Sequence, residues 1–250
     1  MLKSYTIIYK YNQKYDIILF IEHRRIHFSN MLNVVVFDSG YGGEFFADWL
    51  EEEIPVVKVT RVIDWRNATD ILESPKKARI IAATNLAPHI GKADIIVFAN
   101  HLLTTTSLPY FRRKYKTQKF VGFELAKPDR FIKRKVLVLT TKAVSKTLHY
   151  HNFLFRLKTK TKTLCLDSWP ALIDDGELSE ADVLNTIDNF LENEKFCPEE
   201  IILACAQFQD IKPILAKHFG KKVRIYDSYN QTLRQICKAL RLRGSLKKLK

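Results

Sequence analysis

Three apolar runs in this 250-residue chain each end on residues that can move protons or hold an anion. Asn33–Phe37 (NVVVF) leads into Asp38 and Ser39, then Gly40, Gly42 and Gly43. Asp94–Ala99 (DIIVFA) leads into Asn100 and His101, and Ile201–Ala204 (IILA) into Cys205, Ala206 and Gln207. A thiol suits proton transfer because its ordinary pKa of about 8.5 falls readily beside positive charge or a helix N-terminus. A neutral imidazole serves as a base near neutrality. Backbone N–H groups of a Gly-rich turn that opens a helix attract carboxylate or phosphate. Each group also has a plainer reading. Asp38 and Ser39 suit a turn and helix cap, Cys205 a small buried hydrophobe, and His101 a partly exposed strand end. Thr104, Thr105, Thr106 and Ser107 offer hydroxyls near the start of the next helix, for an anion or for capping. His149 and His151 lie two apart with no third ligand nearby, which argues against a metal site.

These groups need strands and helices to position them, and the patterns alternate between the two from Asn33 onward. That alternation predicts parallel sheets covered by helices. A helix over Glu44–Glu53 would turn Phe45, Phe46, Trp49 and Leu50 inward, with Pro55 closing it. Val56–Ile63 reads as a strand, Pro75–His89 as a helix, Ala93–Ala99 as a buried strand, Leu103–Lys114 as a helix and Lys119–Phe123 as a strand. The polar, basic stretch Glu124–Lys135 around Pro128 suits a lobe boundary. Strands then follow at Lys135–Thr141 and Lys162–Asp167. Ser179 and Asp182 approximate a capping box for a helix over Ser179–Glu192. Glu200–Cys205 and Val223–Ser228 are the last strands. In the final helix Leu233, Ile236, Cys237 and Leu240 share a face, so Cys237 reads as core. In open α/β sheets ligands bind at the carboxyl ends of strands, where Asn100 and Cys205 both fall.

The first 30 residues stand apart. They are rich in aromatic and β-branched types that favour strands, and Met31 reads as an ordinary start; an added hairpin and an upstream extension both fit. The expected division is 1–30 as an N-terminal extension, 31–124 plus 227–250 as a first α/β lobe, and 125–226 as a second.

The composition is that of a globular protein, 46% hydrophobic and 27% charged. No apolar run approaches the roughly 20 residues of a membrane span, and the early IILFI run lacks a signal-peptide cleavage site; a cytoplasmic protein with no membrane partner is expected. Among the four cysteines there is no CxxC pair, so neither a zinc knuckle nor a redox pair is indicated. The net charge of +14 is uneven. Sixteen Lys/Arg face two acids between Tyr110 and Lys162, and eleven acids face Lys195 alone between Asp167 and Glu200. With no base-reading motif, the basicity reads as a solvated exterior rather than a nucleic-acid surface.

The order of these motifs resembles the glutamate racemase family of the aspartate/glutamate racemase superfamily. Asp38–Gly43 (DSGYGG) is similar to the family's opening DSGxGG. Val62–Ala68 (VIDWRNA) resembles the strand ending in an Asp-Thr pair, with Asp64 kept and Trp65 in the threonine's place. Asp94–Asn100 falls where the first catalytic-cysteine motif would lie, and Ile201–Phe208 on the second. Trp169–Gly176 (WPALIDDG) and Ile225–Ser228 (IYDS) resemble two further family segments, so the likeness covers nearly everything after Met31. It implies two flavodoxin-like α/β lobes with a cleft between them, the last helix returning to the first lobe. It also implies cofactor-independent racemisation of glutamate, or of aspartate, by two cysteines on opposite faces of the substrate. No cofactor or metal is called for, and a homodimer is compatible with it. The carry-over puts Cys205, Asn100, His101 and Asp38 in catalytic positions, and Ser39, Gly40, Asp64, Ala206 and Gln207 in substrate-binding ones. Departures are concentrated in proton transfer. Asn100 replaces the first thiol, His101 and Leu102 replace the asparagine and threonine after it, and Ala206 and Gln207 replace the threonine and histidine beside the second. His101 is the expected stand-in partner for Cys205. The alternative is a catalytically degenerate scaffold that binds a small carboxylate or a protein partner.

Overall fold

The computed structural model describes residues 31–125 and 134–242, together with the backbone of Ile7–Tyr9 and Leu19–Ile21. Those two short segments, β1 and β2, pair antiparallel with Ile8 opposite Phe20. The lobe boundary expected around Pro128 lies outside the described residues.

From residue 32 onward strand and helix alternate. β3 (Leu32–Asp38) runs into α1 (Tyr41–Glu53), then β4 (Val57–Ile63), α2 (Ala68–Glu73), α3 (Pro75–Leu86), β5 (Ile95–Phe98), α4 (His101–Lys114) and β6 (Phe120–Gly122). The second half follows with β7 (Val136–Thr140), α5 (Lys142–Ser145), α6 (Leu148–Leu157), β8 (Thr161–Cys165), α7 (Trp169–Asp174), α8 (Glu180–Asn193), β9 (Glu200–Leu203), α9 (Lys212–Phe219), β10 (Arg224–Tyr226) and α10 (Ser228–Leu240). The strands form two parallel four-stranded sheets, ordered β4-β3-β5-β6 and β10-β9-β7-β8. This is the two-lobed α/β class anticipated from the alternation.

The cores follow from strand periodicity, because successive side chains point to opposite faces. Val35, Phe37, Ile96 and Phe98 face one way, with Leu103 and Phe111 of α4. The same cluster continues into the second lobe through Val136, Val138, Ile202 and Tyr150, so one apolar body spans both sheets. Val34, Val36, Ile95 and Val97 face the other way, onto Phe46 and Leu50 of α1 and Leu233, Ile236 and Cys237 of α10. The last helix thus leaves the second sheet and packs on the first. Leu137, Leu139, Ile201 and Leu203 pack on α7, α8 and α9 through Trp169, Ile187 and Leu215.

Several local expectations change. Phe45 is half exposed instead of inward and lies against Tyr41, which also touches Trp65. An apolar side chain on the outside of α1 follows from its position: Phe46 and Leu50 already fill the inner face. α1 begins three residues earlier than expected and α4 two. The start of α4 is fixed by Asn100, whose Oδ1 accepts from the Leu103 amide at 3.1 Å. Thr104–Ser107 consequently lie within the helix rather than at its open end. Thr104 Oγ1 donates to the Phe98 carbonyl, and Thr105 and Thr106 both donate to that of Leu102. They brace α4 instead of forming an anion site. β9 ends at Leu203, so Cys205 lies in the loop just beyond the strand. Glycine is required at Gly122, where a methyl group would lie 2.5 Å from Thr104 Oγ1.

Candidate active site

The carboxyl ends of β3, β5 and β9 converge where the two sheets meet. Asp38, the last residue of β3, is 2% exposed. Its Oδ1 accepts from the Ser39 amide at 2.6 Å and from Asn100 Nδ2 at 2.9 Å. The Gly-rich turn wraps tightly around it, since a methyl group on Gly43 would lie 2.3 Å from Asp38 Cβ. Burial pushes the Asp38 carboxyl up to about 7, against the pull of the Asn100, Ser39 and Gly43 donors and with a further push from the charge of Asp174. A carboxyl at that level can both take and give a proton near neutrality.

The second lobe meets this turn directly. A methyl group on Gly42 would lie 2.7 Å from Ala206 Cβ, and the Gln207 amide comes within 4.0 Å of where one on Gly40 would sit. Cys205 therefore stands beside the Asp38 turn, on the loop after β9. Its sulfur donates to Gln207 Oε1 at 3.1 Å, and Gln207 Nε2 donates to Asp174 Oδ2 at 3.4 Å. Although Cys205 keeps some exposure, crowding around the sulfur pushes the thiol up to about 12, and the charges of Asp38 and Asp174 add to this. Asp174 and Asp210 are also raised, chiefly by burial. Tyr229 of α10 closes the far side, its hydroxyl donating to the Gly42 carbonyl at 3.4 Å. Burial, then Asp210 and Asp38, push that phenol far above its ordinary range.

The structure thus gathers Asp38, Ser39, Gly40, Asn100, Cys205, Ala206 and Gln207 at one junction. Two expected residues have other duties. His101 is 3% exposed and its Nε2 lies 2.6 Å from Ser228 Oγ, tying α4 to the start of α10. Burial pushes this imidazole down to about 3, so it has almost no proton affinity near neutrality and is not the base expected opposite Cys205. Asp64 accepts from the Asn67 amide, from Asn67 Nδ2 and from Asn85 Nδ2. Those bonds cap the turn after β4 and anchor α3. Asp174, Asp210 and Tyr229 were not singled out from sequence. Asp174 lies in the family-like segment Trp169–Gly176, a signal that could have found it; nothing local marks Tyr229.

Two parallel sheets whose carboxyl ends meet at a junction of buried acids and a thiol define a two-lobed α/β fold. Comparisons agree. No family model matches the sequence. It is 28% identical over 207 residues to glutamate racemase of Proteus mirabilis, covering 78% of this chain and 71% of that one. It is 27% identical over 217 residues to glutamate racemase of Clostridium perfringens, covering 82% and 81%. Among solved structures it is similar to Escherichia coli glutamate racemase in complex with L-glutamate and the activator UDP-MurNAc-ala, with TM-score 0.72, 22% identity and coverage of 85% and 83%. An aspartate racemase homologue from Pyrococcus horikoshii shares the fold at TM-score 0.54 and 16% identity, covering 85% of this chain and 100% of that one. The chain shares the two-lobed fold of these racemases, and the relatives it matches in sequence are glutamate racemases, amino-acid isomerases.

Proposed function

We propose that the chain moves the α-proton of a small acidic amino acid, glutamate or else aspartate, between the two faces of its Cα without a cofactor. The carrying observation is the apposition of Asp38 and Cys205 on two lobes at one junction, each with an altered proton affinity. Two-face exchange needs a proton acceptor on one side and a donor on the other. Asp38 supplies the first-lobe group where Asn100 stands in place of a thiol, and Cys205 supplies the second. The N–H groups of the Ser39–Gly43 turn offer donors for the substrate carboxylate and for the negative charge that develops on it. On this reading residues 31–124 plus 227–250 and residues 125–226 act as two lobes closing on the substrate. Supply of a D-amino acid to peptidoglycan precursors, a cytoplasmic location and a homodimer belong to the same proposal.

The test is exchange in D₂O with L- and D-glutamate and L- and D-aspartate, followed by NMR of the α-proton. Deuterium gain with inversion supports racemisation, and gain without inversion a single working face. Cys205→Ala and Asp38→Asn should each abolish inversion. Absence of exchange with all four amino acids would sink the enzymatic reading. It would favour the degenerate scaffold, for which the loss of the thiol at Asn100 is the specific support. Calorimetric binding of glutamate without exchange would then identify it.

A further inference from the structure

Asp174, Gln207 and Cys205 form a continuous hydrogen-bonded chain from the end of α7 to the junction of the lobes. An ionised carboxylate only accepts hydrogen bonds, and a carboxamide has one donating and one accepting end. Asp174 therefore takes the Gln207 NH₂ group, which leaves Oε1 as the end turned to sulfur. A carbonyl oxygen cannot donate, so the hydrogen in the 3.1 Å contact must be the thiol's own. We propose that Asp174 and Gln207 are positioning residues that hold Cys205 as a thiol, making it the proton donor and leaving proton removal to Asp38 on the other lobe. This rests on the α-proton reading above and gives it a direction.

The geometry is reinforced from around the sulfur. Burial comes first, and the charges of Asp38 and Asp174 both bear on Cys205 and disfavour a thiolate. The backbone amides of Ala206 and Gln207 are the groups acting the other way. Asp174 Oδ1 is buried and has no partner among the described residues, so its fixed bond is the one to Gln207. The step balances. The Cα–H bond breaks as Asp38 gains its proton, and the Cys205 S–H bond breaks as that proton joins the opposite face of Cα. The thiolate left behind faces a carbonyl oxygen, so it regains a proton from water while Asp38 releases one. The resting protein is therefore set for one enantiomer, the one whose α-hydrogen faces Asp38.

Two measurements on the full chain test this. Alkylation of Cys205 by iodoacetamide across pH 7–11, read by peptide mass, should give a rate that keeps rising with pH in the native protein. Asp174→Asn frees the Gln207 amide to turn its NH₂ to sulfur, and Gln207→Ala removes the acceptor; both should move the rise to lower pH. First-turnover exchange in D₂O should favour one glutamate enantiomer by about a hundredfold or more, the usual worth of a correctly protonated acid–base group, and Asp174→Asn should shrink that preference. An alkylation profile unmoved in both variants, or equal first-turnover exchange of both enantiomers, overturns the proposal. If no variant exchanges either enantiomer while the alkylation profiles shift as expected, the relay stands and the racemase reading is what fails.

Discussion

Asp38→Asn isolates the unusual carboxyl at the centre of the junction. Moving its pKa from 3.8 to about 7 makes the ionised form cost the folded protein up to about 4 kcal/mol, at about 1.4 kcal/mol per tenfold change in proton affinity. Between these two values the folded state holds a proton that the unfolded state has lost. The Asp38 contribution to stability is fully present below pH 3.8 and disappears as pH rises through about 7. Asparagine stays neutral throughout, and its Oδ1 still accepts from the Ser39 amide and Asn100 Nδ2. Its NH₂ meets the Gly43 amide, a fixed cost of about 1 kcal/mol that does not vary with pH. His101 runs in the opposite sense. Its folded pKa of about 3 favours folding above pH 6.5 and loses that benefit as pH falls towards 3. The two groups therefore mask each other between about pH 4 and 6.5 in the native protein. Their separation comes from the difference between variant and native chain, since His101 is common to both. Urea unfolding at pH 4, 5, 6, 7 and 8 should show Asp38→Asn gaining on the native protein by up to about 4 kcal/mol across the series, most of it before pH 7. Parallel curves would refute both the buried titration and the base role built on it.

Other perturbations probe the geometry around that carboxyl. Gly42→Ala places a methyl group 2.7 Å from Ala206 Cβ and should wedge the lobes apart; exchange should fall by about a hundredfold and the thermal midpoint should drop with it. His101→Ala strands the Ser228 hydroxyl in the interior and should lose about 1–3 kcal/mol in urea unfolding, with the shape of the pH–exchange profile between 6 and 9 unaltered. A flattened profile would restore the imidazole to the chemistry. Asp64→Ala frees Asn67 and Asn85 and should cost about 1–2 kcal/mol of stability, with no rise in the substrate concentration needed for half-maximal exchange. Such a rise would return Asp64 to the binding site.

The parts of the fold that were legible are those with strong periodicity. Val34–Phe37 and Ile95–Phe98 are continuous apolar runs because both faces of a central parallel strand are covered, and their identity as buried strands needs no partner to be known. Short helices were harder to read. α6 and α9 each carry only a faint start signal, a Thr147 cap and a Pro213 in the first turn, with short runs of inner residues behind them. The site divided along the same line. Asp38 and Cys205 stood out by their places after apolar runs, a local property. The duties of His101 and Asp64 depend on Ser228, which is 127 positions away, and on Asn85 from another helix. Phe45 misled for a related reason: helical spacing admits either neighbour of Phe46 to the inner face, and only the packed sheet chooses between them.

On the proposed reading, an asparagine at the place of the first thiol changes the logic of the site more than its shape. Asn100 cannot carry a proton, yet its side chain is pinned at both ends. Oδ1 is committed to the Leu103 amide as a helix cap, so Nδ2 is the end that reaches Asp38. On the opposite lobe Asp174 commits the NH₂ of Gln207, so Oε1 is the end that reaches Cys205. The same carboxamide group is thus presented in opposite directions. A donor beside Asp38 favours its ionised, proton-accepting form, and an acceptor beside Cys205 favours its protonated, proton-giving form. Two identical thiols would need the protein to break their symmetry at each turnover. On the proposed reading, a carboxyl and a thiol, each with its own oriented amide, are already sorted into base and acid before a substrate arrives.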